Sequence, residues 1–223
     1  MDSPVLEARE LGCERDERQL FADLNFSLER GDVLRVEGPN GSGKSTLLRC
    51  LAGLTSDHEG QVFWRGMELS RCREAFALDL LYLGHRPGVE AVLTPLENLA
   101  WYQDLAAAGG RADASAALDA AGLAGYELVP CAQLSAGQHR RVALARLWLK
   151  AGDVWLLDEP LTYIDAEGTN AIAERIEAHR RGGGVVVYAT HTGLPLDGEQ
   201  VLRIGTPAAG SPVAGSPARD HAR

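Results

Sequence analysis

The residues Gly38, Pro39, Asn40, Gly41, Ser42, Gly43, Lys44 and Ser45 fit the spacing G-x-x-x-x-G-K-[ST], with Thr46 next in line. Glycines at 38, 41 and 43 let backbone N–H groups turn towards phosphate oxygens. Lys44 has the reach to meet β- and γ-phosphates, and the Ser45 hydroxyl suits Mg²⁺. Asp158 and Glu159 form a second chemical pair. Asp158 is placed to hold the same Mg²⁺, and Glu159 to orient or deprotonate an attacking water. His191 is a third group, suited to a γ-phosphate contact. The fourth stretch, LSAGQ at 134 to 138, has no charge and no strong acid or base. Ser135 suits a helix N-cap, and Gln138 three residues on completes a capping box. That helix end reads either as a well-capped start and no more, or as a second anion site, since Gly137 leaves its N–H groups uncovered. Two anion loops in one small chain suggest that the second serves a nucleotide held by another copy.

Positioning these groups requires strands that end where the chemistry begins. VLRV (33 to 36) runs into the glycine loop, LLYL (80 to 83) ends at Gly84-His85, VWLL (154 to 157) at Asp158-Glu159, and VVVYA (185 to 189) at Thr190-His191. Near-continuous apolar strands separated by helical patterns predict a mainly parallel sheet covered on both faces, hence an α/β fold. In such sheets ligands bind at the carboxyl ends of the strands. A turn at Arg65-Gly66 after QVFW predicts an antiparallel N-terminal portion. A helical insert is expected at about 85 to 150, opening with TPLE (94 to 97) as a capped helix start, with Pro95 at the first helical position. The helix after LSAGQ should bury a face through Val142, Ala145 and Leu149 and end at Lys150. Another helix is expected at 169 to 181, stopped by the glycines that follow HRR. We read 1 to 205 as one unit. The Ala-, Gly-, Pro- and Ser-rich segment 206 to 223 has the composition of a disordered tail.

Bulk properties narrow the class. At 223 residues the chain fits one domain with an insert, and a net charge of -9 argues against a broad nucleic-acid-binding face. No apolar run is long enough to span a bilayer, and MDSPVLEARE does not look like a signal peptide. Cys13, Cys50, Cys72 and Cys131 are scattered without a CxxC pair and read as reduced cytosolic thiols.

In its order of phosphate loop, insert, LSAGQ, Asp-Glu and terminal histidine, the chain resembles the ATP-binding-cassette ATPases over about residues 5 to 205. The resemblance implies a P-loop cassette fold and a head-to-tail dimer binding ATP and Mg²⁺. Each LSAGQ loop would close on the partner's ATP, with Ser135 and Gly137 at its γ-phosphate. Glu159 would be the catalytic base, His191 the switch histidine, and Asp165 the aspartate of the loop that crosses the dimer. That loop reads TYID here, where small residues are usual before the aspartate. Arg15 stands where cassettes usually stack adenine on an aromatic ring; a guanidinium can also stack on a base. His85 stands where glutamine is usual. It reads either as a mimic of that amide or as a pH-sensitive coupler.

The stretches LYLGHRPGVEAVLTPLENLAWY and CERDERQLF resemble, more narrowly, the ATP-binding subunits of the haem exporter of cytochrome c maturation. This implies a peripheral subunit on the cytoplasmic face of a bacterial inner membrane. Its partners would be multi-span subunits of the CcmB and CcmC type, and ATP hydrolysis would drive haem export or release of a haem-loaded chaperone. Other readings are an exporter ATPase for another solute, a soluble cassette acting on DNA or ribosomes, and a small-molecule kinase. The absence of a coiled-coil insert and of a second cassette counts against the soluble cassettes. LSAGQ with the Asp-Glu pair counts against the kinase.

Overall fold

A computed structural model describes residues 3–105, 113–149, 152–191 and 193–205. The chain opens with a long hairpin of β1 (Leu6–Arg15) and β2 (Arg18–Leu28), turning through Asp16 and Glu17 at φ 52° and 59°. β3 (Val33–Glu37) then leads through the glycine loop into α1 (Lys44–Leu51). A second hairpin joins β4 (Glu59–Trp64) to β5 (Met67–Glu68) at the expected turn, where Arg65 and Gly66 have φ 49° and 77°. Positive φ at both central positions matches the twist of a tight hairpin. α2 (Arg73–Asp79) and β6 (Leu80–Leu83) follow. The insert contributes α3 (Pro95–Leu105), α4 (Ala114–Ala120) and α5 (Ala136–Leu144). The core closes with β7 (Val154–Asp158), α6 (Ala166–Arg181), β8 (Val185–Ala189) and β9 (Gln200–Arg203).

The strands form two sheets, an antiparallel one ordered β2-β1-β4-β5 and a parallel one ordered β6-β7-β8-β3-β9. The expected combination of a mainly parallel core with an antiparallel N-terminal portion is what the chain adopts. Side chains of the parallel strands alternate between two apolar layers. Leu34, Val36, Val154, Leu156, Val185 and Val187 pack with α1 and the antiparallel sheet. Trp155, Leu157, Val186 and Tyr188 pack with Ile172, Ala173 and Ile176 of α6. Both faces of β7 and β8 are covered, so every residue of both strands is buried. This is why the sequence shows them as unbroken apolar runs. A third cluster, built on Leu99, Leu118, Cys131 and Val142, gives the insert its own core.

Several helix limits depart from expectation. α6 begins at Ala166, three residues before the expected 169, because Asp165 caps it by accepting a hydrogen bond from Gly168 N at 2.8 Å. The helix after LSAGQ does bury Val142, Ala145 and Leu149, but α-helical winding ends at Leu144 and a 3-10 turn covers Ala145–Leu147. Its expected end at Lys150 lies outside the described residues, as does the tail at 206 to 223. α2 and the edge strand β9 were not expected. All four cysteines are free thiols.

The glycines after α6 have a packing cause beyond stopping a helix. The His179 ring lies over Gly184, where a Cβ would come within 2.1 Å of Nε2. On its other side the imidazole stacks on Trp155, with centroids 3.7 Å apart and planes 9° from parallel. Its Nε2 lies 3.1 Å from the Asp153 carbonyl, to which it donates. Burial lowers the imidazole pKa to about 4, outweighing the hydrogen bond to Asp153 and reinforced by the Arg175 charge. The unfolded histidine, near 6.5, takes up its proton first as pH falls. Its contribution to stability is therefore complete above about pH 6.5 and is lost between about 6.5 and 4. Replacing His179 by Gln should flatten the fall of Tm across that window; parallel curves for parent and variant would disprove the assignment.

Candidate nucleotide-binding and catalytic site

The carboxyl edge of the parallel sheet collects the groups singled out above. The glycine loop curls around its own lysine: Lys44 is buried and its Nζ donates to the carbonyls of Gly38 and Pro39 at 2.8 and 3.2 Å. A Cβ at Gly38 would meet the Ile204 carbonyl at 2.4 Å and Ser42 Oγ at 2.6 Å, so only glycine fits. Gly43, at φ 99°, lies under Leu20 of β2. The antiparallel sheet thus presses the loop into shape. Ser42 is buried and its Oγ has no hydrogen-bond partner, a donor left for an anion.

β7 ends in Asp158, which is 1% exposed and whose Oδ1 also has no hydrogen-bond partner. An unpartnered buried carboxylate oxygen is costly unless a cation completes it. Together with the exposed hydroxyl of Ser45 in the first turn of α1, it fits a hard divalent cation such as Mg²⁺. Glu159 follows at φ 49°, a left-handed conformation uncommon for a side chain of its kind. Its N–H donates to the Ala189 carbonyl at 2.9 Å, which pins the turn to β8.

His191 closes the arrangement. Thr190 N donates to Val36 O at 3.3 Å, carrying the end of β8 over the start of the phosphate loop. His191 Nε2 then lies 2.6 Å from Asn40 Oδ1, 3.3 Å from Lys44 Nζ and 3.4 Å from Glu159 Oε1. One ring nitrogen cannot donate to Asn40 and accept from Lys44 at once. Asn40 Oδ1 can only accept and is the nearer of the two, so we assign the Nε2 proton to Asn40. The structure therefore brings Asn40, Lys44 and Glu159 to the His191 ring from positions up to 151 residues apart.

The second loop forms a separate cluster. Ser135 Oγ accepts from Gln138 N at 3.2 Å, and Gln138 Oε1 accepts from Ser135 N at 2.8 Å, so the expected capping box is complete. Gly137 lies against the loop that joins β7 to α6, where a Cβ would come within 3.0 Å of the Tyr163 carbonyl. Tyr163 itself is 74% exposed at φ 65°. Both carboxylate oxygens of Asp165, two residues on, accept from one nitrogen, Nη2, of Arg141 on α5 at 2.8 and 2.9 Å. The Gly168 N–H first, and Arg141 after it, keep its carboxyl below the usual range. Arg15 stands exposed at the tip of the first hairpin beside Asp16, at 3.7 Å. His85 is exposed immediately after β6.

Sequence reasoning passed over Arg140. It is 4% exposed on α5 and reaches back to the catalytic edge. A signal was present: Arg140 is four residues before the buried Leu144, so it falls on the helix's apolar face.

This fold and site define an ATP-binding-cassette ATPase. The ABC transporter family model matches residues 21–162, which include the phosphate loop, LSAGQ and Asp158-Glu159. His191 lies beyond that span. The chain is 48% identical over 207 residues to the cytochrome c biogenesis ATP-binding export protein CcmA of Salmonella typhi, covering 93% of this chain and 99% of that one. It is 50% identical over 203 residues to the CcmA protein of Hahella chejuensis, covering 88% and 93%. The chain belongs to the ABC transporter ATPases and, within them, to the CcmA-type members. A dimeric bacterial ABC transporter cassette shares the fold at TM-score 0.77 and 22% identity, covering 89% of this chain and 94% of that one. A cassette dimer bound to ADP and Pi in a post-hydrolysis state does so at 0.74 and 23%, covering 84% and 88%.

Proposed function

We infer that the chain is the ATP-hydrolysing subunit of a membrane transporter complex serving cytochrome c biogenesis. It couples hydrolysis to haem export or to release of a haem-loaded chaperone. The observation that carries the ATPase reading is the junction of Asn40, Lys44, Glu159 and His191 beside the unpartnered Asp158 Oδ1. The similarity to proteins named as cytochrome c biogenesis ATP-binding export proteins supports the biological setting.

The phosphate loop, residues 38 to 46, binds the ATP phosphates. Lys44 exchanges the carbonyls of Gly38 and Pro39 for β- and γ-phosphate oxygens, and Ser42 and the loop N–H groups add neutral donors. Ser45 and Asp158 hold Mg²⁺, which when bound neutralises phosphate charge. Glu159 orients a water and accepts its proton. His191 turns from Asn40 to the γ-phosphate. Arg15 stacks on adenine, and His85 takes the place of an amide linking the site to the insert. In a head-to-tail dimer Ser135, Gly137 and Gln138 close on the partner's ATP, and Asp165 meets the partner's phosphate loop. No helix among the described residues is long and apolar enough to cross a membrane. The similarity to the CcmA export proteins supports anchorage by multi-span subunits of the CcmB and CcmC type, with the chain on the cytoplasmic face of the inner membrane.

Affinity purification of the full chain from detergent-solubilised membranes tests this. Multi-span proteins should co-purify, and the complex should hydrolyse ATP in a manner abolished by Lys44→Ala. Co-purification with ribosomes or nucleic acid, and with no membrane protein, would overturn it.

A further inference from the structure

Arg140 is a buried cation whose hydrogen bonds go to backbone. Its Nη1 donates to the Gly84 carbonyl at 3.2 Å. Its Nη2 donates to the carbonyls of Asp158 and Glu159 at 2.6 and 2.7 Å. Burial lowers its pKa, opposed by the charges of Asp158 and Glu159. The strands explain the position. β6 and β7 pair as far as Leu83 with Leu157, and beyond that point Gly84 and Asp158 have no ladder between them. The guanidinium bridges that opening. It comes from α5, the helix that LSAGQ begins, so one side chain ties that helix to the ends of two strands. One of the carbonyls it holds belongs to Glu159 itself, at φ 49°.

We propose that Arg140 is a positioning residue for ATP hydrolysis: it holds the backbone of Glu159 in its left-handed turn and locks that turn to the LSAGQ helix and to the Gly84-His85 corner. It has no part in binding phosphate. A planar fork suits the task because its N–H groups point in fixed, diverging directions, and a single ammonium does not reproduce them. Since α5 carries LSAGQ and Arg140 carries Glu159, a movement of the insert moves the base of its own site and the loop offered to the partner's site together. Neighbouring Arg141 extends the tie to Asp165, so α5 is fastened to both ends of the loop that joins β7 to α6.

The inference rests on the ATPase reading above, and the test separates the two. Arg140→Met keeps length and apolar bulk but removes every donor; Arg140→Lys keeps charge and some donors. ATP hydrolysis is measured in the full chain purified with its membrane subunits. Arg140→Met should lower kcat by about 10- to 100-fold with KM for ATP nearly unchanged, as expected when a reacting group is misplaced while binding survives. Arg140→Lys should fall between Met and the parent. An unchanged kcat in Arg140→Met, or a raised KM with kcat intact, would overturn the positioning role alone. Where Arg140→Met does not fold, Arg140→Lys decides: lower kcat at constant KM supports the role, and parental kcat overturns it. A parent without ATPase activity would overturn both readings.

Discussion

Glu159→Gln is expected to lower steady-state ATP turnover by roughly 10²- to 10⁴-fold while leaving ATP binding intact, the size of effect a positioned general base supplies. The amide has the carboxylate's shape but cannot take a proton from water. The turn itself should survive, because it is held by backbone bonds: Glu159 N to Ala189 O, and Arg140 to Glu159 O. Phosphate-loop geometry is likewise independent of the Glu159 side chain, since Lys44 donates to the carbonyls of Gly38 and Pro39. The mutant should therefore accumulate as a nucleotide-bound dimer in size-exclusion chromatography with ATP and Mg²⁺. Near-parental hydrolysis would remove Glu159 from the base role and leave His191, 3.4 Å from its carboxylate, as the group to test next.

The second large effect is recovery of activity on mixing two inactive chains. Lys44→Ala removes the charge that faces the phosphates. Ser135→Arg puts a bulky cation at an exposed helix N-terminus and breaks the capping box. Each homodimer then carries two damaged sites. If LSAGQ serves the partner's nucleotide, a mixed dimer has one undamaged site and one doubly damaged site, and some activity should return, provided one site can work alone. If Lys44 and Ser135 served one nucleotide within a chain, each chain of the mixture would still carry a broken site and nothing would return. Within one chain the two residues belong to separate clusters. Lys44 contacts Asn40's partner His191 at the sheet edge, whereas Ser135 bonds within its own turn beside Tyr163 and Gly137.

How much of this was legible depended on how each element buries itself. VVVYA was read to the residue, because a strand covered on both faces must be apolar at every position; LLYL was too, since this edge strand, half-buried at alternate positions, still packs apolar side chains on each face. VLRV and VWLL each proved one residue longer. Glu37 and Asp158 still pair with Arg203 and Ala189, and a charged residue conceals the last step of a ladder. β9 escaped notice for the complementary reason. QVLR is an edge strand that alternates half-buried and exposed positions, so it never forms an apolar run. The capping boxes at Thr94 and Ser135 are local hydrogen-bond patterns, and local patterns are carried entirely by neighbouring residue types.

The sequence by itself determined the chemistry: a phosphate loop after a strand, an acidic pair after another, a histidine after a third, and a capped second loop in an insert. Each is set by residue types over a few positions, where φ preference, capping and hydrophobic period act. Only the tertiary structure decided the strand order that lays β8 beside β3 and so brings His191 to Asn40 and Lys44. It alone showed that Arg140, on the apolar face of α5, reaches the carbonyls of three residues from two strand ends. Contacts of that kind depend on which strands become neighbours, and neighbours are chosen by the packing of whole faces rather than by any short run of residues.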